Sequence, residues 1–292
     1  MRRSVLAAAL AVTLAGALAA CAPPADPETD GQVRIVASLN VYGDLAATIA
    51  GPDAIVTSII DDPSADPHGF EANPRVQLEL AEADLVILNG GGYDDFADEM
   101  LAASGNTTAI VIHAVDVTRI DASENEHIWY DYPSMTDLVH EIGVALASIA
   151  PDLDAQHRAA DLNSEIGDLI PRLTALANDH LGEGVIVTEP VPLYLVHNAA
   201  LKNLTPPEFT EAIEQDTDVA PALLQQVLNL IPEASVVIVN GQTGGPQTDA
   251  VIDAAGDAGV PWIEVTETLP AGMHYVEWQS GILDLLEDAL SK

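Results

Sequence analysis

The chain has 292 residues, and its 46 Asp and Glu against 9 Lys and Arg give a formal net charge of −37. A surface this acidic repels nucleic acid and anionic lipid headgroups, so nucleic acid is excluded as a partner. The chain has a single cysteine, Cys21, so no disulfide framework stabilises the folded part, which is long enough to bury a core of its own.

The first 20 residues have the pattern of a secretory signal peptide. Two arginines precede an apolar run of Ala and Leu that is too short for a membrane span. The sequence LAAC, which ends at Cys21, resembles a bacterial lipoprotein signal, in which this cysteine carries lipid and begins the mature protein. The alternative is a cysteine that merely lies near a cleavage site. With lipid at Cys21, residues 21–32 form a flexible tether, and the protein is anchored to the outside of the cell membrane.

Apolar, β-branched runs then alternate with helical patterns in two parts of the chain. The predicted strands are 33–39, 54–60, 83–90 and 109–115 in the first part, and 184–189, 235–241 and 262–267 in the second. A long helical stretch separates the two parts, and an amphipathic helix ends the chain. Continuous apolar strands that alternate with helices indicate parallel sheets covered on both faces. We therefore predict an α/β protein with two α/β lobes, 33–134 and 182–292, joined by a long helix within the helical region 135–181.

Four possible metal ligands lie at or beyond the ends of predicted strands, two in each half of the chain. They are His68, His127, Glu189 and Glu267. In open α/β sheets, ligands bind at the carboxyl ends of the strands. Two imidazoles and two carboxylates form a complete coordination shell for a divalent transition metal. A closed shell shared by two lobes suits capture and release, because a catalytic metal keeps one coordination position open.

Each of these residues also has an ordinary interpretation. His68 lies in the Pro-rich loop ADPHGFEANP and His127 beside a turn, and histidines in such places are often exposed to solvent. Glu189 could instead lie beside a helix N-terminus, which favours a carboxylate. Glu264 competes with Glu267, although strand alternation puts these two residues on opposite faces.

The motifs around the four residues resemble those of the ABC-transporter solute-binding lipoproteins for zinc and manganese. Residues 59–96 match a D-P-H-x-[FY]-E-P-x-P-type loop followed by an A-D-L-V-x-x-N-G strand, with His68 as the metal-binding histidine. His127 lies in NEHIWYDYP, where Asn and Glu replace the Asp-Pro that usually precedes the histidine. Glu189, in VTEPVPLY, matches the third ligand, and Glu267 occupies the place of an aspartate.

The resemblance implies that a metal ion lies between the lobes, that the connecting helix is rigid, and that the ion is Zn²⁺ or Mn²⁺. Manganese-type relatives tend to use two histidines and two carboxylates, as here, but the Irving–Williams order favours Zn²⁺ at such a site. The implied partner is an ABC permease of the membrane, served by a monomeric receptor that is not an enzyme. Because histidine ligands bind metal only when neutral, affinity is predicted to fall below a pH of about 6.5.

Two other functions fit the sequence less well. A solute receptor or adhesin with an organic ligand would normally offer aromatic and arginine anchors, yet the chain has only three Phe among its 292 residues. A metal-dependent hydrolase would need an open coordination position and a general base. The sequence contains neither an H-E-x-x-H nor a G-x-S-x-G motif.

Overall fold

A computed structural model describes residues 31–62, 74–118 and 125–292 of the chain. The predicted signal peptide, the lipidation site Cys21 and the candidate ligand His68 lie outside the described residues. The predictions made for them are therefore not tested by the structure.

The first sheet consists of four parallel strands in the order β2-β1-β3-β4. These strands are β1 (Val33–Leu39), β2 (Ala54–Ile60), β3 (Leu85–Leu88) and β4 (Ile110–His113). The helices of this half are α1 (Asn40–Ala50), α2 (Pro74–Ala81), α3 (Asp95–Ser104) and the short α4 (Ala114–Val117). The central strand β1 pairs Ile35 with Val56 on one side and with Leu85 on the other. All residues of β3 are buried, as expected for a strand covered on both faces.

The second sheet repeats this topology with four parallel strands in the order β6-β5-β7-β8. They are β5 (Gly184–Val187), β6 (Lys202–Asn203), β7 (Val236–Asn240) and β8 (Trp262–Val265). Their helices are α8 (Leu193–Asn198), α9 (Pro207–Glu214), α10 (Pro221–Leu230), α11 (Pro246–Ala258) and α12 (Tyr275–Leu290). The sequence did not predict β6, because two residues carry no readable periodicity. The prediction of an α/β protein with parallel sheets is confirmed.

Three helices form the region between the sheets: α5 (Tyr132–Ile149), α6 (Ala155–Gly167) and α7 (Leu169–Asp179). Asp131 caps α5 by accepting a hydrogen bond from the backbone N–H of Ser134 at 3.0 Å. Only Asp168 separates α6 from α7, and its backbone is itself right-handed helical. The interruption has a simple cause, because Pro171 has no N–H to donate to the carbonyl of Gly167. The helix that leads into the second sheet is thus built in two segments.

The main apolar core is continuous from the first sheet to the second. The inward residues of the second sheet pack in the same cluster as β1 and β3, and they are Val185, Val187, Val236 and Ile238. The alternate residues of these strands pack in a separate cluster on the other face, and they are Ile186, Val237 and Val239. Residues 33–292 accordingly form one compact unit. None of the helices in the described residues combines the length and apolar character that a bilayer span requires.

Candidate metal centre

Two buried carboxylates and an amide meet at the carboxyl ends of the second sheet. The strand order reverses between β5 and β7, which is where open α/β sheets form their ligand crevice. Glu189 follows β5, Asn240 ends β7 and Glu267 follows β8, and each is at most 3% exposed. The Asn240 side-chain amide donates to Glu189 Oε2 and to Glu267 Oε1, at 2.8 Å in both cases. One amide group therefore holds the two carboxylates side by side.

Further hydrogen bonds fix each carboxylate from a second direction. The Thr243 hydroxyl donates to Glu189 Oε1. The Tyr93 hydroxyl, which comes from the first half of the chain, donates to Glu267 Oε2 at 2.9 Å. The backbone N–H of Glu267 donates to Gln242 Oε1 at 2.5 Å. Glu189 is thus held by two residues of the second half, whereas Glu267 is held from both halves of the chain.

His127 faces this pair from the segment that precedes α5. Its imidazole is completely buried, and Nε2 lies 3.6 Å from Glu267 Oε2. Asn125 Oδ1 lies 3.1 Å from the backbone N–H of His127 and 2.6 Å from Nδ1. A backbone N–H can only donate, which identifies this Asn125 atom as the acceptor oxygen. Nδ1 of the neutral ring therefore donates its proton to Asn125, and Nε2 presents a lone pair to the carboxylates.

Asn125 also ties His127 to the segment that carries Glu189. Its side-chain amide donates to the Pro190 carbonyl at 3.1 Å, and its own carbonyl accepts from the Tyr194 hydroxyl at 2.7 Å. Asn125 stands two residues before His127, where the sequence departs from the Asp-Pro of related motifs. An amide oxygen at this position orients the imidazole as a carboxylate would.

Replacing Asn125 with Ala is expected to lower metal affinity about 10- to 100-fold, because the imidazole loses the partner that fixes its tautomer and direction. Asn125→Asp keeps an acceptor for Nδ1 and should recover most of the loss. Isothermal titration of the two metal-stripped variants with Zn²⁺ measures the difference. Equal affinities of Asn125→Ala and the parent protein would contradict this positioning role.

Glu214 is a further buried carboxylate at this centre, and the sequence analysis missed it. It is the last residue of α9, and its Oε1 lies 3.7 Å from His127 Nε2. Oxygens of Glu126 and Glu214 and a nitrogen of His127 all lie within 4.8 Å of one another. The sequence held no usable signal, because Glu208, Glu211 and Glu214 follow each other at the spacing of an ordinary solvated helix face.

Burial shapes the protonation of the whole cluster. It raises the pKa of Glu189 to about 7, although the hydrogen bonds from Thr243 and Asn240 oppose the rise. It also raises the pKa of Glu214 to about 7, against the favourable charge of His127. Burial lowers the pKa of His127, but the neighbouring Glu267 outweighs it and the pKa is raised overall. Without a cation, the cluster therefore holds protons that free carboxylates would release.

The structure brings together three of the four predicted ligands, His127, Glu189 and Glu267, whereas the fourth is outside the described residues. Glu264, the competitor of Glu267, lies on the exposed side of β8, and Glu267 is fully buried. Donors placed tetrahedrally about 2.1 Å from a zinc ion are about 3.4 Å apart. The separations of His127 Nε2 from Glu267 Oε2, 3.6 Å, and from Glu214 Oε1, 3.7 Å, are close to that value, so each of these carboxylates is spaced from the imidazole as a second ligand of one ion would be.

The fold and this centre are those of a two-lobed α/β solute-binding protein. The chain belongs to the family described as the zinc-uptake complex component A, periplasmic, whose family model matches residues 35–289.

Known proteins with similar sequences and folds include several metal-binding receptors. The manganese-binding lipoprotein MntA of Bacillus subtilis is 25% identical over 275 residues, which cover 89% of this chain and 87% of MntA. FpvC of Pseudomonas aeruginosa, solved in complex with Mn²⁺, has a TM-score of 0.74 at 20% identity and covers 89% of this chain and 98% of its own. The periplasmic zinc-binding protein TroA of Treponema pallidum has a TM-score of 0.72 at 18% identity, over 90% of this chain and all of TroA (100%).

Proposed function

We propose that this protein captures a divalent transition metal ion, Zn²⁺ or Mn²⁺, outside the cytoplasm and delivers it to an ABC permease in the membrane. The observation that carries the proposal is the buried Nε2 of His127, which has no hydrogen-bond partner among the described residues and points toward the carboxylates. A buried acceptor without a partner costs free energy, and a cation in front of it removes that cost. Family membership supports the same function.

The proposed ligands are His127, Glu189 and Glu267, together with His68 from the loop between β2 and α2. The first three are supported by their meeting at the carboxyl ends of the second sheet. His68 is supported by its sequence motif alone. We place the two lobes at 33–134 and 182–292, around the helical region 135–181, so that each lobe supplies two ligands.

The oxygen-rich ligand set is compatible with Mn²⁺. The Irving–Williams order nevertheless predicts that Zn²⁺ binds more tightly to the purified protein. Its relatives include proteins named for binding manganese, zinc and iron. We therefore propose that metal supply, rather than affinity alone, decides which ion is carried. A coordination shell filled by protein donors suits carriage of the ion rather than catalysis, since it leaves no position for an activated water.

We further propose that the receptor works as a monomer attached to the membrane by lipid on Cys21, with residues 21–32 as its tether. Relatives named lipoproteins, among them FimA of Streptococcus parasanguinis, support the anchor. A tethered receptor stays close to its permease, which raises the effective concentration of the loaded form at the membrane.

Replacing Glu189 with Ala is expected to lower the affinity for Zn²⁺ and Mn²⁺ by roughly 100-fold or more, because loss of a ligand exceeds the 10- to 100-fold effect of losing a supporting residue. The measurement is isothermal titration of the metal-stripped protein beginning at residue 22. Glu264→Ala, which removes an exposed carboxylate from β8, is the matched control and should bind like the parent. Absence of one-to-one binding of either ion to the parent protein would disprove the proposed function.

A further inference from the structure

We propose that Glu214 is an additional metal ligand, so that helix α9 takes part in enclosing the ion. This inference rests on the proposed function and extends its ligand set beyond the four residues of the family motifs. The first observation is a pair of unpartnered buried atoms. Glu214 Oε1 and His127 Nε2 are both buried, both lack a hydrogen-bond partner in the part of the chain that the structure describes, and lie 3.7 Å apart.

A hydrogen bond between these two atoms does not explain their arrangement. The separation of 3.7 Å exceeds the length of an N–H···O bond. Nδ1 already donates to Asn125 at 2.6 Å, so Nε2 of the neutral ring carries a lone pair rather than a proton. A lone pair that faces a carboxylate oxygen at this distance is repulsive unless a proton or a metal ion supplies positive charge there. The two atoms are therefore spaced as two ligands of one ion would be when that ion replaces the proton.

The position of Glu214 in its helix gives a second, independent argument. Glu214 is the last residue of α9, where the partial negative charge of the helix dipole disfavours a carboxylate. Its side chain is only 16% exposed, so burial disfavours the charge again. Glu208 of the same helix avoids both costs, because it is exposed and lies in the first turn of α9. A cation at His127 offsets both unfavourable effects at Glu214.

A cleft of about 1040 Å³ shows how an ion can reach this carboxylate. Glu126 and Glu214 both line it, together with Asn125 and Tyr194, whereas His127 lies behind them and is fully buried. Glu214 therefore lies between the cleft and the imidazole. An ion that enters through the cleft meets this carboxylate before it meets the deeper ligands.

A third carboxylate has a predictable effect on metal preference. Zn²⁺ favours four ligands in a tetrahedral arrangement, whereas Mn²⁺ belongs to the ions that prefer oxygen donors in six-coordinate shells. With Glu214, the proposed protein donors number more than four and three of them are carboxylates. Glu214 should therefore contribute more to Mn²⁺ binding than to Zn²⁺ binding.

The test is Glu214→Gln, which keeps the side-chain volume and removes the charge. Titration of the metal-stripped variant is expected to show Mn²⁺ affinity lowered roughly tenfold or more, with a smaller loss for Zn²⁺. Glu208→Gln, an exposed glutamate of the same helix, is the control for charge and should bind Mn²⁺ like the parent. The shorter Glu214→Asp variant, which keeps the charge, should bind Mn²⁺ more tightly than Glu214→Gln.

The outcomes separate this inference from the proposed function. A parent protein that binds Mn²⁺ while folded Glu214→Gln binds it within twofold of the parent would overturn the role of Glu214 and leave the proposed function standing. A parent protein that binds neither Mn²⁺ nor Zn²⁺ would remove both. Circular dichroism of each metal-free variant verifies that it is folded before titration.

Discussion

Saturation with Zn²⁺ is expected to raise the midpoint of thermal unfolding of the metal-free protein by roughly 8–16 °C. An ion at 1,000 times its dissociation constant, bound only by the folded state, stabilises that state by about 4.1 kcal/mol. For a chain of this size, each kcal/mol raises the midpoint by roughly 2–4 °C. Circular dichroism at about 222 nm, near the helical minimum, follows thermal unfolding once in the presence of Zn²⁺ and once in the presence of a chelator.

The matched variant for this experiment is His127→Ala, which removes the central nitrogen ligand. Its midpoint should respond little to Zn²⁺, and a chelator should leave it unchanged. A receptor for an organic ligand would behave differently, since neither the ion nor the chelator would shift the midpoint of the parent protein. That result would favour the rival class of solute receptor.

The metal-free protein is expected to lose stability as the pH rises from about 4.5 to 7. Glu189 and Glu214 have folded-state pKa values of about 7, above the ordinary value of 4.5, so the folded state binds more protons than the unfolded chain in this range. Stability then falls with rising pH, and it stays low once both groups are ionised. Each pH unit between the folded and unfolded pKa is worth about 1.4 kcal/mol, so the total loss is on the order of several kcal/mol.

His127 acts in the same direction, because its raised pKa stabilises the folded state at low pH and this contribution is lost as the pH rises through that pKa. Zn²⁺ should reverse the trend, since the ion displaces the protons and binds more tightly as the pH rises. Urea unfolding at pH 5.5 and at pH 8, with and without Zn²⁺, measures both effects.

The double variant Glu189→Gln/Glu214→Gln distinguishes the effect of these two buried groups on stability from the charge repulsion within the whole chain, whose net charge is −37. Its metal-free stability should depend less on pH than that of the parent protein. Metal-free stability that rises between pH 4.5 and 7 would contradict the proton uptake described here. Because Glu189 and Glu214 must lose their protons before they bind metal, metal affinity is also expected to fall as the pH drops below about 7.

Strand positions were predictable because β-branched runs such as 33–39 and 54–60 are continuous and bounded by turn residues, and the structure reproduces both runs. The placement of Glu189 and Glu267 followed from the same logic, since a residue after a buried parallel strand emerges at the ligand edge of the sheet. Asn240 lies within the predicted strand 235–241 and ends the observed strand β7. Its role needed the structure, because only the lateral order β5-β7-β8 puts its amide between two carboxylates.

Glu214 was beyond sequence reasoning for a different reason. A glutamate among other glutamates on a short amphipathic helix is read as solvated, and only tertiary packing brings the end of α9 against His127. The interruption at Asp168 has a local cause in Pro171, but a periodic pattern cannot tell a kinked helix from two separate ones.

The apolar core that runs through both sheets limits the routes by which a bound ion can leave. Packed side chains such as Val187 and Ile238 hold the second sheet against the first, and polar contacts such as Tyr275 to the carbonyl of Trp129, at 2.7 Å, reinforce them. Because this packing holds the sheets together, a bound ion would leave through the cleft lined by Glu126 and Glu214 unless part of the packing is disrupted. Under the proposed function, a membrane partner that disrupts the packing would open a second and faster route for unloading.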